Sequence, residues 1–143
     1  MKIIKNPSPN FENRPPSVSV NLLLFHYTGM KSASEAMARL CNPKSKVSAH
    51  YLIDEVGNIF SLVEENKRAW HAGVASWNDD VDINNISVGI EISNPGHEFG
   101  YSRYSERQMI AVEALSIDII KRHSIRAARV LGHSDVSPSR KSD

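Results

Sequence analysis

The run Leu22-Leu23-Leu24-Phe25-His26-Tyr27, bounded by Asn21 and Gly29, constrains the fold of this chain more than any other stretch. It is apolar with no alternation, the pattern of a strand buried on both faces. Such a strand needs cover on both sides, and the sequence offers two helices to supply it. Ser32 and Glu35, three apart, read as a capping box. The helix they open runs to about Leu40 and stops before Asn42-Pro43. Ser105 and Gln108 read as a second capping box, opening a longer helix to about His123. Met109, Val112, Leu115, Ile119 and Ile120 give that helix a broad apolar stripe.

Further strands are predicted at residues 50–53 and 59–63, a hairpin around Gly57-Asn58. Residues 86–93 form a strand with clean alternation. Residues 129–132 form a last short strand that delivers His133. Strands interleaved with two helices predict an α/β fold, a central mixed β-sheet flanked by α-helices. No internal repeat or low-complexity tract interrupts this pattern.

The chain has 143 residues, enough for one ordinary core. Residues 1–20 hold four of the seven prolines and read as an extended lead-in on the surface, leaving 21–143 as the domain proper. Residues 66–85 lack periodicity and read as a long loop, a feature that is usually functional in a compact domain. A net charge of +1 gives no basic face for nucleic acid. The single cysteine, Cys41, cannot form an internal disulfide and reads as a small core residue. No apolar run approaches the roughly 18 residues of a membrane span. The first residues are too polar for a secretion signal, so the expected location is cytoplasmic, with periplasm or cell envelope as the alternative.

The chemistry gathers at strand ends. His26 closes the first strand and His133 follows the last, where a sheet presents functional groups at its rim. Each alone reads more readily as a satisfied structural histidine than as a metal ligand. With Asp143 they make a possible His, His, Asp set, and catalytic zinc takes three protein ligands plus a water. On the strand around Glu91, Val88, Ile90 and Ile92 share one face; Ser87, Gly89, Glu91 and Ser93 share the other. Small residues around one carboxylate read either as a cleft floor or as a plain solvent face. Trp70-His71 reads as an aromatic platform for a ligand or as a pin that fixes its loop to the core. His123 suits a helix C-terminus, and His97 reads as a solvated loop residue. His97-Glu98 is not a metalloprotease motif, because Tyr101 stands where the second histidine would be.

Five stretches taken together resemble the zinc-dependent N-acetylmuramoyl-L-alanine amidases of the type 2 amidase family, relatives of the peptidoglycan recognition proteins. They are Leu24-Phe25-His26-Tyr27-Thr28, Val47-Ser48-Ala49-His50-Tyr51-Leu52-Ile53, Ala69-Trp70-His71-Ala72-Gly73, the run from Val88 to Gly96, and the closing GHSDVSPSRKSD. The resemblance implies one zinc ion per chain on His26, His133 and Asp143, in a groove at one side of the sheet. It implies Glu91 and Lys141 as catalytic residues and His50, Trp70, His71 and Asn94 as substrate contacts. Glu91 would move the proton, and Lys141 would face the oxyanion, with Ser134 and Asp135 orienting His133.

The reaction implied is hydrolysis of the amide between N-acetylmuramic acid, in its 1,6-anhydro form, and L-alanine of the stem peptide. The alternatives are a non-catalytic peptidoglycan-binding module, an envelope amidase acting on intact wall, and a zinc endopeptidase. The expected partner is a muropeptide or peptidoglycan fragment, and no protein partner is indicated. In that family the last aspartate is normally followed by Pro-Gly and a further segment. Here the sequence stops at Asp143, so the expectation is a trimmed chain or one that relies on zinc to order its end.

Overall fold

The computed structural model describes residues 1–143. The doubly buried run forms β3 (Leu22–Tyr27), and it lies inside a six-stranded mixed sheet. The other strands of this sheet are β1 (Ile3–Lys5), β4 (Tyr51–Ile53), β5 (Ile59–Ser61), β7 (Ser87–Ile92) and β8 (Val130–Gly132). Their order is β1-β5-β4-β7-β3-β8. β3 runs parallel to both β7 and β8, and β4 runs parallel to β7. The β4–β5 pair is the expected antiparallel hairpin.

The alternation of β3 and β7 divides the core. Leu23, Val88, Ile90 and Ile92 pack under α3 (Glu106–His123), against Ala111, Leu115 and Ile119. On the opposite face Leu22 and Leu24 pack with Ala72, Ile83, Leu131 and Val136. Beside them, Ala36 and Leu40 of α1 (Ala33–Leu40) cover Leu52 and Leu62. The sheet is therefore covered on both sides, as β3 requires.

Both helices start where the serines predict. Ser32 Oγ accepts from the Glu35 N–H, and Ser105 Oγ accepts from the Gln108 N–H. Gln108 does not complete a capping box; its side chain turns inward and donates to the Ser93 carbonyl. α3 ends on Ser124 in the left-handed conformation at φ 52°, which lets Ile125 fold back onto the core. Met109, expected in the apolar stripe, is 37% exposed, because Ala111 and Gln108 fill that side of the helix.

Two expectations need correction. The lead-in is extended, but it is woven into the fold. β1 pairs in parallel with β5, and β2 (Phe11–Asn13) pairs with β6 (Lys67–Ala69) in a separate two-stranded sheet. Arg14 then donates to the carbonyls of Glu65, Asn84, Asn85 and Ser87 at 2.8–3.1 Å. Burial, and then the charge of Arg68, lower its pKa to about 10, so it stays charged at neutral pH.

The long loop 66–85 contains β6 and opens a single-turn helix, α2 (Ile83–Ile86). The closing segment likewise begins as a helical turn, α4 (His133–Val136), whose first N–H groups are met by neighbouring carboxylate and main-chain oxygens.

Candidate metal centre

Strand register assembles the site. His26 and Glu91 are direct partners across the parallel β3–β7 pair, so both side chains leave the sheet on the same face. β8 pairs Gly132 with Phe25, and the next residue, His133, opens α4 beside His26. Three adjacent parallel strands thus deliver three functional groups at their C-terminal ends. The chain end completes the set. The Asp143 main-chain oxygen accepts from the Ser134 N–H at 2.5 Å, fixing the aspartate against α4.

The three donors converge. His26 Nδ1 and His133 Nδ1 are 3.0 Å apart, and Asp143 Oδ2 lies 3.6 Å from the first and 3.4 Å from the second. A tetrahedral ion with nitrogen ligands at 2.0–2.1 Å needs donors separated by about 3.4 Å, which these distances approach. The rings stand at 81° to one another, each edge turned to the common point. The His133 Nε2–H donates to the Ala72 carbonyl at 2.8 Å, which leaves its Nδ1 as a bare lone pair. Burial lowers the pKa of His26 to about 4, so its ring is neutral at pH 7. Two imidazoles and one carboxylate make a donor set that suits a cation, and these residues could hold a metal ion.

Glu91 supplies a second argument. Its Oε2 is buried and has no hydrogen-bond partner. Such a group is costly to leave unpaired, and its presence is in keeping with a ligand or water at that point. Burial, then the Asp143 carboxylate, push its pKa up to about 8; Lys141 and Arg39 act in the opposite direction. A carboxyl with a pKa near neutrality, beside a donor cluster, is suited to accepting and releasing a proton.

These groups close the floor of a cleft of about 610 Å³. Tyr27, Met30, Arg39, Val47, Trp70 and His97 line it, and so do Arg140, Lys141 and Ser142 from the segment that ends in Asp143. The Tyr27 hydroxyl meets His97 Nδ1 at 3.0 Å and Ser142 Oγ at 2.8 Å, tying the rim to the chain end.

The residues expected to touch substrate divide into two groups. Trp70 lines the cleft, with its Nε1–H on Glu12 Oε1 at 2.8 Å. His71 borders the cleft but is buried, its ring spanning His26 Nε2 at 2.9 Å and Ser87 Oγ at 3.0 Å. His50 and Asn94 lie behind the cleft, contrary to expectation. His50 is fully buried; it accepts from the Gly89 N–H at Nδ1 and donates from Nε2 to the Lys67 carbonyl. Asn94 donates to the Ser102 carbonyl and accepts from the Gly96 N–H, shaping the rim from inside.

Asp135 and Ser134 do not hold the His133 ring. Asp135 accepts from the Gly132 N–H, Ser134 meets Asp143, and the ring is held by Ala72. Arg39 and Asn84 carried no signal in the sequence, and His97, read there as a solvated loop residue, lines the cleft; an isolated polar residue outside a motif does not declare which wall it faces.

A family profile described as N-acetylmuramoyl-L-alanine amidase matches residues 15–143. The chain is 32% identical to N-acetylmuramoyl-L-alanine amidase AmiD of Escherichia coli, over 87% of this chain and 48% of that protein. It therefore spans about half the length of that relative. It is 30% identical to 1,6-anhydro-N-acetylmuramyl-L-alanine amidase AmpD of Haemophilus influenzae, over 95% of this chain and 82% of the relative. Among solved structures, it matches E. coli AmiD in complex with the substrate anhydro-N-acetylmuramic acid-L-Ala-D-gamma-Glu-L-Lys. There the TM-score is 0.80 and the identity 30%, covering 92% of this chain and 55% of that one.

Proposed function

The chain belongs to the N-acetylmuramoyl-L-alanine amidase family, and on that premise we propose that it hydrolyses the amide between anhydro-N-acetylmuramic acid and L-alanine in peptidoglycan fragments. The observation that carries this reading is Glu91, whose partnerless buried oxygen stands in register with His26 beside a His, His, Asp donor cluster.

His26, His133 and Asp143 are the residues that would hold one zinc ion. A zinc ion so held supplies a nucleophilic water near neutral pH and polarises the amide carbonyl. Glu91 accepts the proton of the attacking water. As the new C–O bond forms and the C–N bond breaks, the same carboxyl returns that proton to the departing amine of L-alanine. Lys141, on the cleft beside Glu91, offers its ammonium to the oxyanion that develops on the carbonyl oxygen. Trp70 gives the cleft an apolar wall for the sugar or peptide.

Arg39, Arg140 and Lys141 place three cationic groups on the cleft lining, beside the carboxyls of Glu91, Glu98 and Asp143. This suits the substrate named for AmiD, because a γ-linked glutamate leaves its α-carboxylate free. The name of the H. influenzae relative supports the anhydro sugar as the preferred form. Action on soluble fragments in the cytoplasm is the setting we propose. No helix of the structure is long and apolar enough to cross a membrane.

The test is product analysis. Zinc-loaded protein incubated with a soluble anhydro-muropeptide should release anhydro-N-acetylmuramic acid and an intact peptide beginning with L-alanine, both identified by mass spectrometry. Cleavage inside the stem peptide, or binding without cleavage, would refute the reading. Faster release from intact sacculi than from the soluble fragment would move the activity to the envelope.

A further inference from the structure

The two candidate ligand histidines share an unusual support. Both are held at the nitrogen remote from the donor cluster by one dipeptide, His71-Ala72. His26 Nε2 meets the His71 ring, and His133 Nε2 meets the Ala72 carbonyl. The dipeptide is itself clamped, because the N–H groups of His71 and Ala72 both donate to Asn84 Oδ1, at 3.1 and 2.9 Å. Asn84 sits on the single-turn helix α2, next to Ile83.

The direction of each hydrogen bond follows from the end of the chain of contacts. The Ile83 carbonyl can only accept, so it takes the single hydroxyl proton of Ser87 at 2.7 Å. Ser87 Oγ then has only lone pairs left, and it accepts from His71 Nε2–H at 3.0 Å. His71 is therefore unprotonated at Nδ1 and accepts there from His26 Nε2–H at 2.9 Å. His26 is left with a bare Nδ1, which is the atom that faces His133 and Asp143. This arrangement satisfies every contact outside the donor cluster and leaves two facing lone pairs, His26 Nδ1 and His133 Nδ1, 3.0 Å apart, where a cation would sit. The His71 ring lies flat against β7 at Gly89, where a Cβ would come within 2.5 Å of Nδ1. Only glycine there leaves the ring its place.

We propose that His71, Ser87 and Asn84 are positioning residues that fix the tautomers of both metal-ligand histidines, so that each presents Nδ1 to the site before any metal arrives. This assigns His71 to the support of the centre rather than to contact with substrate. It also explains why α2, a helix of one turn, stands where it does: its first two residues terminate the relay and clamp the dipeptide. The proposal rests on the reading of His26 and His133 as metal ligands, but not on the reaction they serve.

Two readouts test it. In metal-free protein at pH 7, long-range ¹⁵N–¹H correlation spectra of the imidazole rings should show His26 and His133 protonated at Nε2. His71→Leu should leave His26 as a mixture of tautomers and weaken zinc binding by about 10–100-fold in a chelator competition. His71→Asn keeps an acceptor near the Nδ1 position, so it should hold the His26 tautomer and bind zinc more tightly than His71→Leu.

Ser87→Ala removes only the terminal acceptor and spares the fold if the leucine variant does not fold. It should disorder the His71 tautomer and weaken zinc binding to a smaller degree. Wild-type His26 protonated at Nδ1, or both Ser87→Ala and a folded His71→Leu binding zinc as tightly as wild type, would overturn the proposal. Correct tautomers and tight zinc in a protein that cleaves no muropeptide would instead refute the amidase reading and leave this one standing.

Discussion

On the proposed mechanism, Glu91 separates metal binding from catalysis at a single side chain. Its assigned work is proton transfer, which typically contributes about 10²–10⁴ in rate. Glu91→Gln keeps the shape but cannot accept a proton. It should retain zinc and bind muropeptide while turnover falls by about two to four decades, measured alongside elemental analysis of the same sample. Loss of zinc in that variant would make Glu91 a ligand instead, and near-normal turnover would place the base elsewhere. His26→Ala should lose metal and activity together.

At this scale the sequence was legible where backbone period decides the outcome. Alternation on β7 placed Glu91 and Gly89 on one face and the valine and isoleucines on the other, as observed. The same alternation could not tell a cleft floor from a solvent face. That choice was made by the β3–β7 register, a long-range property. His50 and Asn94 were misplaced for a related reason: a motif carries a residue's identity but not the side of the sheet on which its hydrogen bonds are spent.

The longer elements were legible from their own period, and the short β4, β5 and β8 only from apolar runs flanked by turn residues. α1, α3, β3 and β7 carry enough residues to show a period or a cap. β1, β2, β6, α2 and α4 have three or four residues each, too few for any period. They form because tertiary partners meet their main-chain groups, and Arg14 is the clearest case. Arg14→Met removes donors from four buried or half-buried carbonyls and should destabilise the protein by at least about 2 kcal/mol in urea unfolding. A change near zero would mean that water replaces the guanidinium without cost. Within α3, Leu115→Ala should cost about 2–5 kcal/mol, since Leu115 is fully buried under the sheet.

α3 also carries a pH-sensitive joint. Burial by itself would raise the pKa of Glu65, but hydrogen bonds from Arg122, Tyr51 and His123 outweigh it and hold it down to about 2. A carboxyl depressed in the fold stabilises the protein above its unfolded value of 4.5. That contribution fades as pH falls from about 4.5 toward 2. Half-exposed Arg122 is screened by solvent, so the contribution is on the order of 2 kcal/mol. Glu65→Gln should lower the melting temperature at pH 7 and narrow its difference from wild type near pH 2. An equal difference at both pH values would show that packing, not charge, carries the joint.

Across the whole molecule, the site is a product of topology. Its groups come from β3, β7, the turn after β8 and the end of the described chain, residues separated by up to 117 positions from His26 to Asp143. No local pattern could have gathered them, and the resemblance of five separate stretches to one family is what made the set readable in advance. The architecture explains how such distant residues meet. Parallel strands point their C-terminal ends the same way, so side chains delivered there converge on one rim. Glu12 of the lead-in, Asn84 of α2 and the closing segment then brace that rim from outside the six-stranded sheet.

The central claim is that one zinc ion on His26, His133 and Asp143 is required for amide hydrolysis. The most direct measurement is a zinc titration of chelator-stripped protein, with release of L-alanine-initiated peptide from an anhydro-muropeptide followed at each addition. The account predicts no hydrolysis in the stripped protein and a linear return of activity that breaks at one zinc per chain. Full activity in protein shown by elemental analysis to contain no metal would contradict it.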